Sequence, residues 1–240
     1  MSEFEKLKQH DIVLDSKSKT VSFWDNYWYH YKWHTIIIGF FAFMLIFMLV
    51  QCMGGDGKKD AVIVYCGPKS FVANETEGIR ETLNAVLPED FDQDGERYVE
   101  FVRFLVYSPE QQEQDLLING GDATINPVYN AQQIKAFDDF MMVGEASIYL
   151  LSPYAYERIK SRQNMRPVAQ MFDTLPPLYD EYAVRLGDLP IYKQSPSLAL
   201  LPEDTLLCLT VPYAIGSSSN EAIYQRSEQT FRAIVLWSAE

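Results

Sequence analysis

The segment Asp90-Phe91-Asp92-Gln93-Asp94-Gly95-Glu96 has residue types and spacing suited to holding a hard cation. Alternate carboxylates followed by a glycine turn open the loops that wrap calcium with oxygen ligands. The rest of that pattern departs from the calcium loop. Phe101 stands where the closing glutamate belongs, Glu100 comes one residue early, and Arg97 takes a position usually apolar. A strand-like run follows where the second helix should begin. An acidic turn between a helix and a strand is the preferred reading. Asp90, Asp92 and Asp94 are kept as calcium candidates, and no metal is assigned.

Other chemistry is narrowed by what the chain lacks. Its three histidines, His10, His30 and His34, all precede residue 36. The C-terminal part therefore has no Ser-His-Asp or Cys-His arrangement, no histidine-ligated zinc and no histidine base. Carboxylate pairs remain, as do lysine-assisted schemes with Lys69, Lys135, Lys160 or Lys193. None is framed by a nucleotide-binding glycine loop or a Gly-x-Ser-x-Gly elbow. The expectation is a protein that is not an enzyme, with no catalytic residues and no cofactor. Cys66 and Cys208 each sit in an apolar, strand-like run, where neighbouring strands would permit a disulfide. Two buried free thiols are the preferred reading.

After Gly54 the chain carries 28 acidic and 15 basic residues, so the whole net charge of −13 belongs to this part. Such a surface repels phosphate backbones and excludes nucleic acid as a partner. Solubility is a sufficient reason for the charge.

Ile36 to Met53, IIIGFFAFMLIFMLVQCM, is eighteen residues without a charge. Counted from Trp33, the run makes about 31 Å of helix, enough to cross a hydrocarbon core. Ahead of it Trp24, Trp28 and Trp33 mix with Tyr27, Tyr29 and Tyr31, rings that favour the headgroup layer. Trp24, Trp28 and Tyr31 share a helical face suited to lying along the membrane surface. Leu49-Val50-Gln51-Cys52 loosely matches a lipoprotein cleavage box, but Gln51 replaces the small residue; an uncleaved anchor is preferred. Cys52 stands at the membrane boundary. Lysines flank the span almost evenly, and orientation leans only slightly to a cytoplasmic tail. The expected order is a tail with an aromatic interfacial segment (1–33), a transmembrane helix (34–53), a tether (54–60) and an extracytoplasmic α/β domain (61–240). The bilayer is the first partner.

Within that domain, Ala61–Cys66 reads as a strand covered on both faces. Residues 76–87 place Ile79, Leu83, Val86 and Leu87 at helical spacing. Tyr98–Tyr107 reads as a second strand with Glu100 and Arg103 outward. Residues 110–118 read as a helix that buries Leu116, Leu117 and Ile118. Val128–Met142 reads as a helix with Ile134, Phe137, Phe140 and Met141 inward, stopped by Gly144. Ala146–Leu151 is a third buried strand. The order β-α-β-α-β predicts a mostly parallel sheet with helices on both faces. Beyond it a short helix near 154–162, strands at 182–186 and 205–211, and a last helix from Asn220 to about Trp237, capped by the serines of GSSSN, complete the reading.

With that order in place, FWDNYWYHYKWHTI and QIKAFDDFMMVGEASIYLLSPYAYE give the chain a resemblance to small membrane-anchored extracytoplasmic proteins of Gram-positive bacteria of the clostridial type. The first half of the domain resembles a lobe of type II solute-binding proteins. The resemblance covers the anchor and residues 60–160, and implies a reduced solute-binding-like fold. In that family the third strand often opens with Asp, where this chain has Ser147. What it implies for function is a binding module that serves a transporter. The alternative is an accessory or scaffolding subunit of a membrane complex, with no small-molecule ligand. Lys69 and Ser70, following the first strand, fall where ligands of open α/β sheets bind; no ligand-binding residue is assigned.

Overall fold

The computed structural model describes residues 27–29, 31–49, 59–161, 165–211 and 218–238. The chain divides into two compact units, Met1–Gly57 and Lys58–Glu240.

In the first unit, helix α1 (Tyr31–Leu49) is long and apolar enough to cross a membrane, with a mean hydropathy of 1.8 and none of its apolar window buried. A signal sequence meets the same criteria of length and composition. The ring of Tyr27 stacks on that of Tyr31 at 5.5 Å, and its hydroxyl lies 3.0 Å from that of Thr35. Trp28, Tyr31 and Trp33 are exposed. Trp24, Gln51, Cys52 and most of the tether lie outside the described residues.

The second unit is an α/β/α sandwich. Its elements are β1 (Ala61–Gly67), α2 (Ala73–Val86), β2 (Val99–Leu105), α3 (Pro109–Ile118), α4 (Pro127–Val143), β3 (Ile148–Leu151), α5 (Pro153–Lys160), β4 (Ala183–Arg185), α6 (Pro190–Gln194), β5 (Leu206–Leu209) and α7 (Ser218–Leu236). The strands form one sheet in the order β2-β1-β3-β5-β4. β1 pairs parallel with both β2 and β3, with Val64 opposite Val102 and Tyr149. All seven β1 residues are buried, as a central parallel strand requires.

Alternation along β1 builds both cores. Ile63 and Tyr65 face Ile79 and Leu83 of α2 and Phe231 of α7. Val64 and Cys66 face Phe137 and Met141 of α4 and Tyr156 and Ile159 of α5. The chain steps from β1 to β2 in one direction and from β2 across to β3 in the other. Two crossovers of the same hand must then use opposite faces, which is why α2 and α4 cover different sides.

One expectation is refined and another corrected. The sheet is mixed: β5 runs antiparallel to β3 and to β4, while the other four strands share one direction. The chain leaves β4 and returns into β5 at the same sheet edge, where the Leu186 and Gly187 N–H groups donate to Thr205 and Glu203 carbonyls. Without a crossover, the return strand has to be antiparallel. Leu189, Ile191, Leu198 and Leu201 of this connection fill the core beside α2 and α7. The correction concerns α3. It has no buried residue, and Leu116, Leu117 and Ile118 are 44%, 75% and 76% exposed. Three adjacent apolar residues span most of a helical turn and cannot share one face.

The other assignments agree to within a few residues at their ends. Gly144 caps α4 at φ 76°. The last helix begins at Ser218, so three residues of the GSSSN run lie inside it, and any cap before Ser218 lies outside the described residues.

Candidate functional site

The carboxyl ends of β1, β2 and β3 and the start of β5 surround an open pocket of about 520 Å³. That size lies within the range of small-molecule sites. Its position follows from the topology: the chain leaves β1 towards one face and β3 towards the other, so nothing fills the space above their ends.

Each wall is built the same way. Strand β1 runs out at Gly67-Pro68. A Cβ at Gly67 would stand 2.6 Å from the Tyr65 hydroxyl, so only glycine lets this turn close over that ring. The Lys69 N–H donates to the same hydroxyl at 3.2 Å. Strand β2 leads to Ser108-Pro109, and β3 to Ser152-Pro153. Both serines cap the helix that follows: Gln111 N–H donates to Ser108 Oγ at 3.2 Å, and Ala155 N–H to Ser152 Oγ at 3.3 Å. Proline at the first helical position has a suitable φ and no N–H to leave unpaired. Both helices therefore start on the rim, bringing Glu110, Gln111, Tyr154 and Glu157 into the wall, while Pro202 and Asp204 close it before β5. Glu110 is held below the usual carboxylate range by the Ser108 hydroxyl and by its own N–H, against partial desolvation.

Lys69 and Ser70 do follow β1 at this edge, but they are exposed and Pro68 is the residue of that turn in the wall. Ser147 is buried at the other end of β3, where its carbonyl accepts from the Thr210 N–H at 2.8 Å. The remaining lysines are occupied elsewhere: Lys135 with Asp139 at 2.6 Å, Lys160 with Asp180 at 2.7 Å, and Lys193 near the Asp188 carbonyl at 3.5 Å.

The acidic loop lies at the opposite edge of the sheet. Asp60, Asp90 and Asp92 bring one carboxylate oxygen each within 4.8 Å of one another, and Asp94 is not in that group. Asp60 is the member that periodicity and spacing missed, since it lies thirty residues earlier, in the stretch read as a tether. Its buried carboxylate accepts from the N–H groups of Phe91 at 2.6 Å, Asp92 at 3.2 Å and Tyr98 at 2.9 Å. Asp90 accepts from Gln93 and Gly95, both at 2.7 Å, and the Gly95 bond leads in holding its carboxyl low. Asp92 moves the other way, pushed up by desolvation and by the charges of Asp94 and Asp60. These oxygens tie the loop to itself and to β1.

Cys66 and Cys208 are both buried free thiols. They stand on strands separated by β3, so their backbones lie about two strand spacings, roughly 10 Å, apart and beyond disulfide reach. Burial pushes both thiols well above their ordinary range, which leaves them unreactive.

Comparison with known proteins finds no matching family model, no similar curated protein and no similar solved structure.

Proposed function

We propose that this chain is a membrane-tethered, extracytoplasmic binding module that holds a small molecule at the carboxyl edge of its sheet. The observation that carries the reading is the pocket of about 520 Å³ at the point where the chain reverses direction across the sheet. Open α/β sheets bind ligands at such points because the connections leave adjacent strands towards opposite faces and helix starts supply polar groups. Three further features agree with it. α1 has the length and composition of an anchor; the lysine balance leans towards a cytoplasmic tail; and the sequence offers no catalytic motif. The resemblance to a solute-binding lobe belongs to the same reading, with a transporter as the natural recipient of the ligand.

A second reading, an accessory subunit that contacts another membrane protein, draws on the exposed Leu116, Leu117 and Ile118 at the end of α3 and on Val128 and Tyr129 at the start of α4. Apolar groups presented this way suit a protein contact.

Native mass spectrometry of the full chain released from membranes separates the two. The binding module is expected to carry a small molecule that is lost on denaturation. A ligand-free chain that instead retains a second protein would overturn the first reading in favour of the second.

A further inference from the structure

Given that the pocket at the carboxyl edge is a binding site, we infer that its ligand is a small organic cation, bearing an amine or guanidinium group. The charge balance of the wall carries this. Glu110, Glu157 and Asp204 all line the pocket, and none of its lining residues is Lys, Arg or His. The Ser108 hydroxyl and a backbone N–H favour the charged form of Glu110, so this carboxylate stays ionised through neutral pH.

Two helix starts on the rim are the competing consideration, since each contributes about half a positive charge and anions often bind there. Here they cannot compensate. Two such ends offset about one of the three carboxylates. Most of their first-turn N–H donors are also spent. Pro109 and Pro153 have none at the first helical position, and the Gln111 and Ala155 N–H groups already donate to Ser108 and Ser152. An anion would meet net negative charge and few donors, whereas a cation meets acceptors with no basic competitor. Tyr154 also lines the pocket, and an aromatic ring can hold an ammonium or guanidinium group. The two Ser-Pro starts thus have a second effect beyond capping: they turn an edge that usually favours phosphates into one that favours amines.

The test uses the full chain in detergent and four probes: spermidine and L-arginine as cations, citrate as an anion and glucose as a neutral solute. Binding is read by calorimetry at two salt concentrations. A cation is expected to bind, more weakly at high salt. The double variant E157Q/D204N is expected to weaken it roughly two- to fivefold for each carboxylate removed, the range of an exposed ion pair. E145Q, at the far end of β3, should bind as the parent does. Equal cation binding by parent and double variant would mean general attraction to an acidic surface and would overturn the inference. Binding of citrate or glucose but of neither cation, lost in Y154A, would also overturn it while leaving a binding pocket in place. If no probe binds and the chain carries no small molecule by native mass spectrometry, the binding reading itself fails, and the cation inference with it.

Discussion

Replacing Asp60 by alanine tests whether the acidic loop is a structural knot. The side chain is buried, and its two oxygens accept the N–H groups of Phe91, Asp92 and Tyr98. Alanine leaves three amides without their acceptor. A bond to a charged acceptor contributes about 1.5–3 kcal/mol, and the lower end applies where the donors are only partly shielded from water. Three such bonds predict a loss of about 4.5 kcal/mol. For a unit of this size, about 2–4 °C of melting temperature corresponds to each kcal/mol, so the midpoint should fall by roughly 9–18 °C. Asparagine is a graded control. Its oxygen can serve Phe91 and Asp92, which share one oxygen of Asp60, but its amide nitrogen then faces the Tyr98 N–H. D60N should therefore cost about a third to a half of D60A. The assay is thermal unfolding of the full chain in detergent, followed by near-ultraviolet circular dichroism. A loss below about 1 kcal/mol for D60A would refute the reasoning, as would D60N being the worse of the two.

Other outcomes follow from the same structure. Asp180 accepts from Tyr156 at 2.6 Å, Lys160 at 2.7 Å and the N–H of Tyr182 at 2.9 Å; burial opposes its charge, but these partners prevail and its carboxyl is lowered. A lowered carboxylate stabilises above its unfolded-state range and loses that contribution as pH falls through the folded value. The gap in melting temperature between wild type and D180N should accordingly be widest near neutral pH and shrink on acidification below about pH 4. G67A places a Cβ against the Tyr65 hydroxyl and should cost about 1–3 kcal/mol, part of it recovered in the G67A/Y65F pair, as measured by thermal unfolding. L117D/I118D, on the exposed end of α3, should leave stability within about 0.5 kcal/mol of wild type in the same assay.

Much of the sandwich was legible in the sequence because its signals are local. The unbroken apolar run of β1, the i, i+4 spacing of Ile79 and Leu83, and the glycine after Val143 each name an element without knowledge of its neighbours. The direction of β5 was not legible. The stretch between the strands expected at 182–186 and 205–211 carries Pro190, Pro196 and Pro202, and whether it crosses the sheet or returns at one edge depends on where Leu189, Ile191 and Leu198 pack. The burial expected at Leu116–Ile118 failed because apolar residues in sequence do not reveal whether a partner surface faces them. Lys69 and Ser70 follow β1 at its carboxyl edge, as the general rule for open sheets has it, but of that turn only Pro68 lines the pocket. The wall residues Glu110, Tyr154 and Glu157 were not singled out, although the repeated Ser-Pro after β2 and β3 carries a readable signal: two capped helices that must begin on one rim. Asp204 is adjacent to them only through the reversal of β5, and Asp60 meets Asp90 and Asp92 only through pairing of β1 with β2. Both depend on long-range contacts that no spacing rule encodes.

Hydrogen–deuterium exchange on the full chain in detergent, as extracted from membranes and again after exhaustive dialysis, tests the binding pocket most directly. The account predicts slower exchange before dialysis in the turns after β1, β2 and β3 and in residues 202–204, with the acidic loop at 90–96 unchanged. Identical exchange at those turns before and after dialysis, in a chain shown by its mass to have lost a bound molecule, would contradict it.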